Sequence, residues 1–148
     1  MTTVERLTEE EATRRLRDAG LRVTRQRVAT LQALDEHPHA TVEELVSALT
    51  PRLPKVSFQA VYLVVGDLVR AGLATRLDLP GQPSRYEPNR HDNHHHVVCT
   101  VCGRLEDVPC AVGEAPCLEP SHAHDMQILV ADVLYRGVCR SCRESSAD

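Results

Sequence analysis

The sequence predicts an α+β protein, with an N-terminal winged helix-turn-helix domain followed by a small α/β domain. Two observations support this prediction. The first half shows four short amphipathic helix patterns and then a hairpin pattern, whereas all six cysteines and six of the eight histidines lie in residues 77–148. Charge divides likewise: residues 1–76 carry 11 Arg and Lys against 10 Asp and Glu, and residues 77–148 carry 6 against 11. The predicted domains are residues 1–88 and residues 89–148.

Capping residues and apolar stripes define the first two helices. Thr8 opens a capping-box pattern that starts a helix near residues 9–19, and Gly20 is suited to end it. Thr24 caps a second helix, which stops near His37 because a proline follows.

Two more helices and a hairpin complete the predicted first domain. Thr41 opens another T-x-x-E pattern, and Ser57 caps a fourth helix whose apolar stripe runs to Gly72. Residues 73–79 then alternate like a strand, and residues 84–87 return as its partner after a PGQP turn. Helices this short bury their stripes only by packing together. Their order before a hairpin indicates a winged helix-turn-helix, with another small helical bundle as the alternative.

Two C-x-x-C pairs stand out in the second half. Cys99 and Cys102 form one pair and Cys139 and Cys142 the other, separated by 36 residues. A tetrahedral Zn²⁺ takes four thiolate ligands, which two such turns supply. We therefore predict a structural Zn²⁺ held by these four cysteines, with a subdomain between the pairs. Redox dithiols are the alternative.

The two remaining cysteines, Cys110 and Cys117, match no zinc pattern. They are either buried structural cysteines or a redox pair, and the spacing leaves both open.

A cluster of histidines precedes the first cysteine pair, in residues 91–103, HDNHHHVVCTVCG. His94 and His96 alternate, so on a strand both point to the same face. Imidazole together with carboxylate suits Fe, Mn, Zn or Ni, and Glu87 and Asp107 are carboxylates that can complete such a site. The pattern predicts a second metal site, with solvent-exposed histidines as the alternative.

Composition restricts the setting of the protein. No run approaches the ~20 apolar residues of a membrane-spanning helix, and the start MTTVERLTEEEA lacks a signal-peptide pattern. We expect a cytoplasmic protein with no membrane partner, where cysteines more often hold metal or sense redox than form structural disulfides. The net charge of −4 is weak evidence against nucleic-acid binding, because it hides the more neutral first half.

These motifs together resemble the ferric uptake regulator (Fur) family. The resemblance runs from about Leu16 to Cys142 and rests on the order of helices, GLRVTRQR at 20–27, SFQAVY at 57–62, the alternating histidines and both C-x-x-C pairs. Together with the histidine cluster, residues 107–117, DVPCAVGEAPC, are most similar to the actinobacterial catalase-linked, peroxide-responsive branch. The resemblance implies a homodimeric, metal-dependent transcriptional repressor that binds a double-stranded DNA operator through its winged helix. The C-terminal α/β domain is then the dimerisation domain.

The resemblance also implies ligand sets. The structural zinc falls on the four cysteines of the C-x-x-C pairs. The regulatory Fe²⁺ or Mn²⁺ site falls on His39, Glu87, His94, His96 and Asp107, with His37 as a register alternative to His39. Asp107 favours peroxide sensing over iron sensing, although Glu87 is the less peroxide-like choice. Ala131 stands where some members place a histidine of a third site, so we expect that site to be absent or altered.

For DNA, the resemblance implies a recognition helix that begins after Ser57. The implied contact residues are Arg22, Arg25, Arg27, Lys55, Ser57, Gln59 and Tyr62. The basic side chains would contact phosphates and give salt-dependent affinity. The helix departs from the family at Phe58, Leu63 and Gly66, where polar or basic residues are common.

Two other classes of function remain open. One is a zinc metalloenzyme that uses the histidine–carboxylate site as a catalytic centre, and the other is a metal-storage or interaction module on a helix-turn-helix scaffold. The sequence contains no H-E-x-x-H helix and no deaminase-like H-x-E with P-C-x-x-C, so we expect no enzymatic activity.

Overall fold

The structure, a computed structural model, describes residues 5–111, 116 and 118–146. The chain divides into two compact units, Met1–Arg90 and His91–Asp148. Each unit has a three-stranded sheet of its own.

The first unit is a winged helix. Its elements are α1 (Glu9–Asp18), α2 (Arg25–Glu36), β1 (Ala40–Thr41), α3 (Val42–Leu49), α4 (Phe58–Arg70), β2 (Ala74–Leu77) and β3 (Arg85–Pro88). The strands form an antiparallel sheet in the order β1-β3-β2, in which β2 and β3 are the predicted wing hairpin. The two-residue strand β1 was not predicted.

Side-chain caps start the helices where the sequence places them. The hydroxyls of Thr24, Thr41 and Ser57 each accept a hydrogen bond from the N–H three residues later, and at Thr41 the full capping box forms. At Thr8 only half of the predicted capping box forms: the Thr8 hydroxyl accepts from the Glu11 N–H, but the reciprocal bond to the Glu11 side chain is not made. There the carboxylate of Glu11 binds two arginines of its own helix, Arg14 and Arg15, instead of the cap backbone.

The apolar stripes of the helices meet in one core. Its fully buried members come from all four helices and include Leu16, Leu31, Leu34, Leu45, Leu49, Val61, Val65 and Leu68. Tyr86 of β3 joins them, so the wing packs on the helices through its base. The predicted α+β class and winged helix are confirmed, and the bundle alternative is wrong.

The second unit is built on a different sheet. Its elements are β4 (His94–Cys99), β5 (Leu105–Pro109), β6 (Leu134–Gly137) and α5 (Arg140–Ser145). Strand β4 is central, antiparallel to β5 and parallel to β6. The parallel pairing aligns Cys99 with Gly137, which brings the two C-x-x-C segments to one end of the sheet.

No helix in the described part of the chain is long and apolar enough to cross a membrane.

Candidate metal centres and the recognition helix

The four predicted zinc cysteines lie together in the second unit. Cys99 ends β4, Cys102 lies in the turn after it, Cys139 is the N-cap of α5, and Cys142 lies in that helix. Their Sγ atoms all lie within 4.8 Å of one another. The parallel pairing of β4 with β6 therefore brings together two cysteine pairs that are far apart in sequence.

The spacing of these sulfurs fits zinc. Four thiolates at the usual Zn–S length of about 2.3 Å form a tetrahedron whose edges are about 3.8 Å. The Sγ atoms of Cys102 and Cys139 are 3.8 Å apart. A zinc ion would thus cross-link the end of β4 to the start of α5.

Backbone donors favour a thiolate at Cys99. Hydrogen bonds from the main-chain N–H groups of Cys102, Cys139 and Val101 lower the pKa of the Cys99 thiol to about 6. The Cys139 N–H donates to Cys99 Sγ at 3.3 Å. The pKa of Cys142 is raised to about 12, first by its hydrogen bond with Cys139 and then by burial. Without metal the cluster keeps protons, so binding Zn²⁺ must release them.

A histidine–carboxylate set lies on β4 and β5 of the same unit. The register pairs His96 with Asp107, and the Nε2 atoms of His94 and His96 lie 3.9 and 3.4 Å from Asp107 Oδ1. His94 Nδ1 lies 2.6 Å from Asp92 Oδ1. That hydrogen bond orients the ring, with Nε2 turned toward Asp107, as carboxylates behind metal-ligating histidines commonly do.

A second histidine–carboxylate pair lies in the first unit. His39 Nε2 lies 3.0 Å from Oε2 of Glu87, which is buried at the end of the wing. His39 has a φ of 69°, a left-handed conformation that is uncommon for residues with a side chain and often marks functional sites. Of the two register alternatives, His39 lies beside Glu87, whereas His37 is the exposed C-cap of α2.

The spacing within these sets suits a first-row divalent ion. Nitrogen and oxygen ligands at right angles, with bonds near 2.1 Å, are about 3.0 Å apart. The His39–Glu87 distance matches this value, and the His96–Asp107 distance of 3.4 Å is close to it. Each unit therefore offers donors that Fe²⁺ or Mn²⁺ accepts.

Sequence reasoning missed the residue that supports His39. Arg85 Nη1 donates to the His39 carbonyl oxygen at 3.0 Å, and Arg85 Nη2 lies 3.5 Å from the side-chain oxygen of Gln82. The sequence held one signal for Arg85: it lies two residues before Glu87 on the same strand, and residues spaced by two point to the same face of a sheet.

The remaining cysteines are described only in part. Cys110 is half-buried and its N–H donates to the Asn93 carbonyl. Cys117 lies outside the described residues, so the predictions about this pair stay predictions.

The predicted DNA contacts fall into two groups. Gln59 and Tyr62 lie on the exposed side of α4, and Arg22, Arg25 and Lys55 are exposed. Arg27 is engaged within the domain, where its Nη2 donates to Asp67 at 2.8 Å and its Nη1 to the Arg22 carbonyl at 2.7 Å. The hydroxyl of Ser57 accepts from Ala60 as the helix cap.

A winged helix combined with a thiolate cluster and histidine–carboxylate sets defines a DNA-binding protein of the metal-dependent regulator class. A sequence model of the ferric uptake regulator family matches residues 18–133. Transcriptional regulator FurA of Mycobacterium tuberculosis is 50% identical over 127 residues, which cover 86% of each chain. Peroxide-responsive repressor PerR of Staphylococcus epidermidis is 31% identical over 136 residues, 91% of this chain and 90% of that one.

Solved structures agree with these relatives. The ferric uptake regulator of Vibrio cholerae superposes with a TM-score of 0.65 at 25% identity, covering 86% of this chain and 98% of that one. That of Helicobacter pylori gives 0.73 at 20% identity over 97% and 100%, a likeness of fold. The chain belongs to the ferric uptake regulator family, whose members are metal-dependent transcriptional regulators.

Proposed function

We propose that the protein is a homodimeric, DNA-binding transcriptional repressor that senses peroxide through a regulatory Fe²⁺ or Mn²⁺ site. The observation that carries the proposal is the separation of ligand chemistry: one cluster offers only sulfur, and the other sets only nitrogen and oxygen. Soft thiolates select zinc, and harder donors suit redox-active or exchangeable iron and manganese. Relatives named as transcriptional regulators favour this function over a metalloenzyme or a storage module.

Zinc at Cys99, Cys102, Cys139 and Cys142 has a structural role. The four ligands close the tetrahedron, which leaves no open position for a substrate. The cross-link between β4 and α5 stabilises the second unit, which we propose is the dimerisation domain.

The regulatory ion would be shared between the two units. His39 and Glu87 belong to the first unit, and His94, His96 and Asp107 belong to the second. An ion held by both sets fixes the orientation of the winged helix on its dimerisation domain. In a dimer this fixes the spacing between two recognition helices, which DNA binding requires.

The proposed target is a pseudo-palindromic, A/T-rich operator. Each α4 would lie in a major groove, with Gln59 and Tyr62 facing the bases. Arg22, Arg25 and Lys55 would contact phosphates. Ser57 contributes as the helix cap, and Arg27 contributes less because Asp67 engages it. Binding to chromosomal DNA implies a cytoplasmic location.

Peroxide sensing rests on the chemistry of the ligands. His39, Glu87, His94, His96 and Asp107 would hold the ion, and ferrous iron there would supply the redox chemistry by which peroxide adds one oxygen atom to a nearby imidazole and leaves as water. A ligand imidazole that gains oxygen loses its donor strength, and His39 or His94 is the expected target. Loss of one ligand would weaken metal binding, and DNA would then dissociate. Asp107 favours peroxide as the effector, and iron itself is the alternative.

Metal-dependent DNA binding tests the proposal directly. Protein that keeps zinc but is stripped of exchangeable metal is offered a random duplex library with and without Mn²⁺. We expect selected duplexes only with Mn²⁺. Asp107→Ala should lose the Mn²⁺ response, and Asp107→Glu, which keeps a carboxylate, should retain it. Mn²⁺-independent binding by the wild-type protein would contradict the proposal.

Mass spectrometry distinguishes the sensing routes. The iron form, after mild peroxide, should release DNA and gain one oxygen atom, about 16 Da, on a peptide that contains His39 or His94. The manganese form should stay bound and unmodified. Unmodified histidines beside a new Cys110–Cys117 disulfide would instead make those thiols the sensor.

A further inference from the structure

We propose that Phe58 and Leu63 read thymine methyl groups in the major groove, so that α4 selects thymine by apolar contact. The inference rests on the proposed DNA-binding function and names what its recognition helix reads. It also assigns a role to two exposed apolar side chains of α4 that the proposed function leaves unexplained.

Large apolar side chains are exposed at one place in the described part of the first unit. They are Phe58, Tyr62 and Leu63, which are 55%, 47% and 54% exposed. All three lie in the first two turns of α4, whereas the other helices of that unit bury theirs. A patch so confined indicates a contact surface and not imperfect packing.

The helix geometry gives this patch a single outward face. Val61, Val64 and Val65 point into the core, so positions 58, 59, 62 and 63 point outward together. The rings of Phe58 and Tyr62 stack one turn apart, with centroids 6.4 Å apart and planes 13° apart. Stacking restricts both rings before any partner arrives, which lowers the entropy lost on binding.

The inner side of the two rings is not closed by the core. Phe58 and Tyr62 line an open cleft of about 310 Å³, which is also lined by Glu43 of α3 and by Arg76 and Tyr86 of the wing. The two rings are therefore open to a partner on the side of the wing as well as on their outer side.

The charge at the start of α4 favours nucleic acid as the occupant. Residues 51–66 contain Arg52 and Lys55 and no acidic residue, and the first turn of α4 is also without acid. The positive end of the helix dipole adds to this field. Arg52 is paired with Glu36 at 2.7 Å, so Lys55 and the helix N-terminus supply the positive charge that precedes the patch. This combination suits a surface that is anionic outside and apolar within, as the major groove is at thymine methyls.

The side chains of this face match the chemistry of an A·T pair. In the major groove thymine presents a C5 methyl group, and adenine presents a donor and an acceptor that Gln59 can bind in bidentate fashion. Phenyl and isobutyl groups offer thymine nothing but apolar contact. Removing a buried methyl from such a contact lowers affinity about fourfold.

The test removes single methyl groups from DNA. The probe is the duplex selected by the Mn²⁺-loaded wild-type protein, with each thymine replaced in turn by deoxyuridine. We expect about fourfold weaker binding at one or two thymines in each half-site and no change at the others. In Phe58→Ala that sensitivity should vanish at one thymine, and in Leu63→Ala at another. Phe58→Leu, which keeps an apolar side chain, should retain it.

Two controls keep failure informative. The Phe58 and Leu63 variants should keep the zinc content, melting temperature and dimeric mass of the wild-type protein. Loss of dimeric mass in Phe58→Ala would assign the patch to self-association and overturn the inference. If no uracil substitution changes binding of the wild-type protein, the inference is overturned and the proposed function stands. If the wild-type protein selects no duplex, the proposed function fails and the inference fails with it.

Discussion

Arg85 holds the backbone of His39. Its Nη1 donates to the His39 carbonyl oxygen at 3.0 Å, although the two residues are 46 positions apart in sequence. The same guanidinium lies 3.6 Å from Glu44 Oε2, on the helix that follows His39. Arg85 therefore fixes the left-handed backbone of His39 from the strand that also carries Glu87.

Arg85→Gln should therefore weaken regulatory metal binding. We expect Mn²⁺ affinity, measured by calorimetry on zinc-loaded protein, to fall about 10- to 100-fold, as is typical when a residue behind metal ligands is lost. Arg76→Gln, on the partner strand of the wing, is the matched control because Arg76 pairs with Asp78. Equal Mn²⁺ affinity in Arg85→Gln and wild type would show that the hydrogen bond does not position His39.

Zinc binding should depend on Cys99 and not on Cys110. Cys99→Ser removes one of four sulfurs and should release zinc and loosen the dimer, because metal binding and folding are coupled here. Cys110→Ser changes a cysteine of the same unit outside the cluster and should keep one zinc per chain. Metal analysis and dimer mass measure both. Full zinc content in Cys99→Ser would refute the ligand assignment.

The Arg27–Asp67 ion pair should stabilise the first unit. It joins α2 to α4 at 2.8 Å, with side chains 20% and 30% exposed. A double-mutant cycle with Arg27→Ala and Asp67→Ala should give a coupling of about 1 kcal/mol in the free energy of unfolding. Zero coupling would mean that solvent screens the pair completely.

The same pair should respond to pH in one direction. Hydrogen bonds from Arg27, and then from Arg70, lower the pKa of Asp67 below its usual value of 3.8. A group whose folded pKa is depressed contributes stability above its unfolded pKa and loses it as pH falls through the folded value. The wild-type advantage over Asp67→Asn should thus be full at pH 6 and shrink below about pH 4. An advantage that persists unchanged at low pH would argue against the carboxylate.

Arg25 and Arg27 should differ on DNA. Arg25 is exposed, with one weak contact of 3.4 Å to the Arg52 carbonyl, whereas Arg27 is held by Asp67. Arg25→Ala should lower the slope of log affinity against log salt by about one. Arg27→Ala should change the slope less and lower the melting temperature more. The reverse pattern would exchange their roles.

Local signals made the fold predictable in large part. Thr24, Thr41 and Ser57 cap helices because their hydroxyls satisfy nearby N–H groups, an effect that depends on a few neighbouring residues. A capping pattern does not show which of several nearby groups a side chain will bind, and Glu11 binds arginines of its own helix instead of the Thr8 backbone. Strand β1 is two residues long, too short to show any alternation.

The candidate ligands were predictable for a similar reason. The alternation of His94 and His96 determines a shared face, and C-x-x-C turns present sulfurs together. The pairing of β4 with β6 follows from contacts more than 30 residues apart, which no local pattern encodes. The roles of Arg85 and Asp67 likewise depend on contacts between segments that are distant in sequence.

Reciprocal coupling between Mn²⁺ and DNA tests the central proposal most directly. If one ion fixes the DNA-binding arrangement, a selected duplex must raise Mn²⁺ affinity by the same factor by which Mn²⁺ raises DNA affinity. We predict a shared factor of at least tenfold, about 1.4 kcal/mol, measured by titrating Mn²⁺ into zinc-loaded protein with and without duplex. Mn²⁺ affinity that is the same with and without DNA would contradict a metal-dependent repressor.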